Sequence, residues 1–230
     1  MLGTVLNATT VVAGGSLGLL LGSRLPGRVR ETVVHGLGLV TLALGASLAI
    51  ETSDVLVPLL SVVVGSVVGE VLDVERHLEG VGRWLERRTT SADSGGTFVR
   101  GFVTASLVYC VGPMTILGSL QDGLTGDYRI LAVKALLDGV ASVAFASAMG
   151  VGVLFAAVTV LVYQGAITLG ATWARVLFTD PVVAAMNATG GLLLLGIGLR
   201  LLEIKALRVT NMLPALAVAP ALVALKDLVA

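Results

Sequence analysis

Apolar residues run along this chain in long blocks, with charged residues gathered into short clusters between them. A helix needs about 20 mostly apolar residues to cross a hydrocarbon core about 30 Å thick. Eight windows approach or meet that length: 2–23, 32–50, 55–73, 99–120, 130–148, 150–173, 182–200 and 209–229. The pattern predicts an all-α, polytopic helical membrane protein with about eight transmembrane helices in a single domain, 1–230. Between the fifth and sixth windows, Ala148-Met149-Gly150-Val151-Gly152 offers a turn but no charge, so a seven-span reading stays open. The first window has no basic segment ahead of it and no polar domain behind it, so a retained span is expected rather than a signal peptide.

One stretch, 74–98, departs from the apolar pattern. Val74, Leu78, Val81, Trp84 and Leu85 recur at helical spacing, with Glu75, Glu79, Arg83, Glu86 and Arg87 on the other side. An amphipathic helix on the inner leaflet is expected, anchored by Trp84 and carrying a Glu79–Arg83 i,i+4 pair. The Ser/Thr/Gly-rich run from Thr89 to Thr97 reads as a linker.

Composition narrows the class. Hydrophobic residues make up 56% and charged residues 13%, too little charge to cover a water-soluble fold of this length. Fifteen Lys and Arg against fifteen Asp and Glu leave no basic excess for nucleic acid. The single cysteine, Cys110, excludes a disulfide framework and a cysteine metal cluster. Charge also orients the chain. Arg24, Arg28, Arg30, Arg76, Arg83, Arg87, Arg88, Arg100, Arg200, Lys205 and Arg208 fall on one side of an eight-span arrangement. Only Arg129, Arg175 and Lys226 fall on the other, and Lys134 lies inside a span. The positive-inside rule puts the larger group in the cytoplasm and both termini outside.

The two ends of the chain look alike. Gly38-Leu39-Val40-Thr41-Leu42-Ala43-Leu44-Gly45, then a polar stretch and Pro58, parallels Gly191-Leu192-Leu193-Leu194-Leu195-Gly196-Ile197-Gly198, then a polar stretch and Pro214. Upstream, Gly14-Gly15-Ser16-Leu17 parallels Gln164-Gly165-Ala166-Ile167. Spans 1–3 then match spans 6–8 around spans 4–5. The odd offset makes the two triplets run oppositely through the bilayer, a 3+3 inverted repeat of the kind many secondary transporters use.

Ionisable groups inside a membrane are costly and commonly functional. Lys134 and Asp138 stand four apart on one face of the fifth span. They read either as a structural ion pair or as a titratable site where a proton or cation competes with the lysine. In the fourth span Pro113 lacks an N–H and frees the carbonyls of Tyr109 and Cys110. Those carbonyls, with Thr115, Ser119 and Gln164, would suit a hard cation; a plain proline kink is the alternative. The turn Asp122–Asp127 has carboxylates and glycines but not the spacing of a calcium loop. Asn7, Thr9, Thr10 and Asn187 are assigned to helix packing, and Glu70 to snorkelling at the inner boundary. His35 and His77 flank separate spans, which disfavours a histidine metal centre. No HExxH, GxSxG or Walker loop is present, so neither an enzyme nor a cofactor is expected, and an enzyme acting on lipid or within the membrane ranks third behind a transporter and a scaffold.

The stretches Thr104-Ala105-Ser106-Leu107, Gly112-Pro113-Met114, Gly118-Ser119-Leu120-Gln121-Asp122-Gly123, Leu137-Asp138-Gly139, Phe145-Ala146-Ser147, Tyr163-Gln164-Gly165 and Asn211-Met212-Leu213-Pro214-Ala215 carry a resemblance. Through them the chain resembles the YqgA/YdfK-type family of prokaryotic membrane proteins, a domain of unknown function. Pro113 stands where that family's pattern calls for a smaller residue. The resemblance implies an integral protein of the prokaryotic plasma (inner) membrane and no established substrate. Residues and resemblance together lead to a small secondary transporter or ion-conducting protein for an inorganic ion or small metabolite, proton- or cation-coupled. A non-transporting membrane scaffold or sensor is the alternative. Partners are the lipid bilayer, the small solute and, because so short a chain has little protein to enclose a pathway, a second copy in a homodimer.

Overall fold

The computed structural model describes residues 1–50, 52, 54–77, 80 and 97–229, and among these all regular structure is helical. The helices are α1 Leu2–Gly22, α2 Gly27–Ala49, α3 Leu56–Val71, α4 Thr97–Cys110, α5 Pro113–Thr125, α6 Arg129–Met149, α7 Gly152–Leu169, α8 Ala171–Leu177, α9 Asp180–Leu201 and α10 Ala215–Val229, with a 3₁₀ turn at Val209–Met212. Among the described residues, six helical stretches are long and apolar enough to cross a membrane: α1, α2, α6, α7, α9 and Val209–Lys226. The α4–α5 pair meets the same test jointly, although it is bent by 62°. The α3 helix is apolar but only 16 residues long. Of the amphipathic helix expected over 74–98, residues 74–77 are helical; Leu78, Glu79, Val81, Arg83, Trp84, Leu85, Glu86, Arg87 and the Thr89–Thr97 linker up to Gly96 lie outside the described residues.

Two windows divide where the apolar pattern runs on. The 99–120 window breaks at Val111-Gly112, because Gly112 has φ 130° and ψ 154°, a backbone region essentially reserved for glycine. Pro113 then opens α5 at a position where no helical N–H is required. The 150–173 window ends as α7 at Leu169, and α8 starts anew beyond Gly170. Between the fifth and sixth windows, α6 and α7 are separate helices joined through Gly150 at φ 82°.

On α3, packing largely inverts the usual rule of large apolar residues inside. The buried face of α3 carries Pro58, Ser61, Gly65 and Gly69, with Val57 the one large aliphatic residue among them, while Leu59, Leu60, Val63, Val64 and Val67 are exposed. Small residues let backbones approach closely where lipid is as apolar as leucine, and large side chains turn outward into the solvent they prefer.

Contacts give the direction of each packed pair. Helix α1 runs parallel to α6, with Gly14, Gly18 and Gly22 against the backbones of Gly139, Val143 and Ser147. It runs antiparallel to α7, through the Thr4–Thr168 hydroxyl bond of 3.3 Å and the Gly15–Leu154 contact. Helix α4 runs parallel to α7, through Phe98 on Phe155 and a 3.0 Å bond from Ser106 to Thr159. Helix α2 lies antiparallel on α9 through Gly45 on Gly191 and Gly198 on Leu42. Helix α3 lies antiparallel to α10, tied at one end by Asn211 Nδ2 donating to Glu70 at 2.6 Å and at the other by Lys226 on Asp54 at 2.5 Å. The largest core cluster, including Val11, Tyr109, Phe145, Val153, Val160 and Leu193, sits among α1, α4, α6, α7 and α9.

Candidate functional site

One face of α6 carries Lys134, Asp138 and Ser142 at successive four-residue steps, and all three are buried. Lys134 Nζ donates to Asp138 Oδ2 at 2.7 Å, and both side chains are less than a tenth exposed. A second donor comes from α1, where Asn7 Nδ2 bonds the same oxygen at 2.9 Å. Asn7 had been expected to serve packing alone. Its role could have been suspected from the only carboxamide in a span otherwise built of aliphatic, glycine and hydroxyl residues.

The hydroxyl of Ser142 donates to the Asp138 carbonyl at 2.7 Å. Its proton is thereby committed, so Tyr109 must donate in the 2.7 Å bond between the two hydroxyls. At the break, Thr115 Oγ1 donates to the Tyr109 carbonyl at 3.0 Å. The carbonyl that the helix interruption releases is therefore met within the chain, by a hydroxyl from the first turn of α5. Cys110 is half-buried and lies within electrostatic reach of both Lys134 and Asp138.

Beyond this bonded set lies a group of polar atoms with no partner. Asn7 Oδ1, Ser119 Oγ and both amide atoms of Gln164 are buried without a hydrogen bond among the described residues, as are Asn187 Oδ1 and Thr189 Oγ1. Asn7, Ser119 and Gln164 share a level. Ser119 is one turn before Gly123, which abuts the Thr168 carbonyl; Gln164 is one turn before Thr168; and Thr168 bonds Thr4, one turn before Asn7. Three helices thus place fully buried polar side chains at one level, and one of them, Asn7, bonds Asp138 of the Lys134–Asp138 pair. Each unmet group costs about 1–3 kcal/mol of desolvation, so the cluster is expensive as mere packing.

Of the sequence candidates, the fold brings Asp138, Lys134, Tyr109 and Thr115 into one bonded chain through Ser142, and buries Ser119 and Gln164 without partners at the level of Asn7. Cys110 instead faces a cavity of about 860 Å3 between α4, α7, α9 and α10, lined by Phe102, Leu107, Gly112, Tyr163 and Asn187 among others. The Asp122–Asp127 turn is structural. Asp122 lies within α5 and accepts from the Gly3 N–H at 3.1 Å, capping α1. Asp127 accepts from the Arg129 backbone and side chain at the start of α6, and the guanidinium holds its carboxyl down at about 2. Glu70 does more than snorkel: Arg208 and Asn211 bond it, while Arg208 also reaches Asp73 and Glu75. Among the described residues no group of three or more His, Cys, Asp or Glu is placed to hold a metal ion.

Several membrane-length helices, one of them broken beside a buried ion pair, define a helical membrane protein with a polar centre. The chain belongs to the family described as a protein of unknown function, DUF554, whose model matches residues 2–224. It is 32% identical over 222 residues to the uncharacterized protein YqgA of Escherichia coli (strain K12), covering 95% of this chain and 94% of that one. It is 27% identical over 227 residues to the uncharacterized membrane protein YdfK of Bacillus subtilis (strain 168), covering 97% and 96%. No solved structure matches the chain.

Proposed function

We propose that this protein is a small secondary transporter or ion-conducting protein of the prokaryotic plasma membrane, moving an inorganic ion or compact metabolite with proton or cation coupling. The observation that carries the reading is the set of unmet buried atoms on Asn7, Ser119 and Gln164, with Asn7 bonded to the Asp138 of a buried Lys134–Asp138 pair. Groups left unpaired in a dry interior are poor scaffolding and good ligands. Asp138 is the ion- or proton-responsive carboxylate and Lys134 its counter-ion. Ser119 and Gln164 face the solute, and Tyr109, Cys110 and Thr115 form the wall at the break.

Eight spans belong to this proposal, counting α4–α5 as one and α3 as another. Helix directions support it: α1 and α6 are parallel, as are α4 and α7, while α1/α7, α2/α9 and α3/α10 are antiparallel. Every pair obeys odd-even alternation along eight crossings. The inverted repeat draws support from α2 and α9. If Gly38 corresponds to Gly191 and Gly45 to Gly198, the Gly45–Gly191 and Gly38–Gly198 approaches exchange with each other, as a two-fold axis requires. Termini outside the cytoplasm follow from the basic cluster at Arg24–Arg30 and Arg200–Arg208.

Proteoliposomes loaded with a pH-sensitive dye and challenged with a panel of ion gradients test the reading. Flux through the native protein that disappears in Asp138→Asn is expected. Absence of flux in both forms, with normal folding of each, would favour the scaffold or sensor, a reading to which the mutual satisfaction of Lys134 and Asp138 lends weight.

A further inference from the structure

The unmet atoms at the level of Asn7, which bonds Asp138, have a chemistry that selects what they bind. Three side chains on three helices supply a free oxygen each: Asn7 Oδ1 from α1, Ser119 Oγ from α5 and Gln164 Oε1 from α7. Against them stands one free nitrogen, Gln164 Nε2. All three residues are fully buried. An anion would meet two donor groups, the Ser119 hydroxyl and Gln164 Nε2, against two amide oxygens, and Asn7 ties the set to a carboxylate whose neighbouring ammonium is already engaged at 2.7 Å. A cation would find oxygen ligands and a carboxylate.

Charge fixes the valence. Divalent hard cations collect several carboxylates along with neutral oxygens. Here, among the described residues, Asp138 is the carboxylate tied to the set, through Asn7, whereas Asp122 is turned toward the N-terminal end of α1 and accepts from the Gly3 N–H. A single negative charge among neutral oxygens in a low-dielectric interior matches one positive charge. Lys134 supplies that charge when it holds Asp138. A cation bound with the ammonium still in place would leave a net buried charge, which burial penalises heavily.

We therefore propose that Asn7 Oδ1, Ser119 Oγ, Gln164 Oε1 and the Asp138 carboxylate form a monovalent cation site of the sodium type, filled in exchange with the Lys134 ammonium. Asn7 has two tasks: its amide nitrogen holds the carboxylate and its oxygen faces the ion. The site deepens the transport reading by naming its ion, yet it makes a claim about binding that stands without flux.

Binding is read as the thermal unfolding midpoint of the purified protein in sodium chloride against choline chloride at constant ionic strength, with lithium and potassium chloride alongside. A saturable rise with sodium is expected in the native protein. Gln164→Leu and Ser119→Ala should each abolish that rise without lowering the midpoint in choline, since each removes a buried group that has no partner. Lys134→Met should show the largest rise, with half-saturation at a sodium concentration lower by roughly tenfold or more, because the competing ammonium is gone. Equal midpoints in sodium and choline for both the native protein and Lys134→Met would overturn the site. So would a sodium response that Gln164→Leu and Ser119→Ala both retain. Flux without any sodium response would sink this inference and spare the transport reading, whereas a sodium response without flux would do the reverse.

Discussion

Asp138 shows how much of this protein's behaviour turns on single side chains. It sits in an environment that tolerates its charge only because Lys134 and Asn7 bond it. Removing one member of a buried pair leaves the other uncompensated, which typically costs about 3–5 kcal/mol, whereas replacing both by apolar residues is often neutral. Lys134→Met should therefore destabilise the protein by about that amount in sodium-free buffer, and adding Asp138→Leu should recover most of the loss. Chemical denaturation in detergent, run as a double-mutant cycle, checks both. A different carboxylate behaves differently because of where it lies. Asp127, half-buried beside Arg129, is held by that guanidinium at a folded pKa of about 2 against an ordinary 3.8. A depressed carboxylate contributes stability above its unfolded pKa and loses it as pH falls through the folded value. Acidification from pH 7 to 5 should leave this turn intact, and an Asp127→Asn variant should be slightly less stable than the native protein by a margin that stays constant over that range.

At the scale of elements, the α4–α5 break decides where the polar centre can form. The proline marks the spot in the sequence, yet the backbone is turned by its neighbour. Gly112 occupies a conformation that costs a residue with a Cβ on the order of 1–3 kcal/mol. Pro113 fills a first-turn position that needs no N–H. Gly112→Ala should thus lower the unfolding midpoint and disturb the Thr115–Tyr109 bond, while Pro113→Ala should leave both nearly unchanged. A larger effect from the proline than from the glycine would contradict this account. The ends of α3 follow the same economy. Its 16 residues fall short of the usual crossing length, and ion pairs with Arg208 and Lys226 hold its two ends to neighbouring segments.

Across the whole molecule, helix direction and close approach define the architecture. A methyl group on Gly45 would lie 2.7 Å from the Gly191 carbonyl oxygen, and one on Gly191 would lie 2.6 Å from that of Gly45. Gly45→Val and Gly191→Val should force α2 and α9 apart and cut the yield of monodisperse protein on size exclusion. Gly36→Val, with open space around it, should not. Eight crossings make a separate prediction. With Cys110 replaced by serine, cysteines introduced at Ser23 and Lys205 should react with an impermeant thiol reagent only from the cytoplasmic side. Those introduced at Thr52 and Asp127 should react only from outside. Labelling of all four from one side would rule the eight-span arrangement out.

Much of this was legible in the chain. Length and apolarity announce the helices, because a bilayer sets one demand that hydropathy answers directly. The Lys134–Asp138 pair was readable too, since four residues is one helical turn and a charge inside a span seeks a partner. Contacts between distant segments were not. Asn7 and Asp138 are 131 residues apart, and no periodicity links them. The release of the Tyr109 carbonyl follows from the break, but its capture by Thr115 depends on the angle at which α5 sets off. The exposed leucines and valines of α3 carry no sign of their orientation until packing shows that the small residues face inward. Sequence alone determined that this protein must be helical and apolar, because solvent chemistry acts on each segment separately. Only the tertiary structure decided which polar atoms meet and which are left unpaired, because that depends on the register between helices and register is set by close packing.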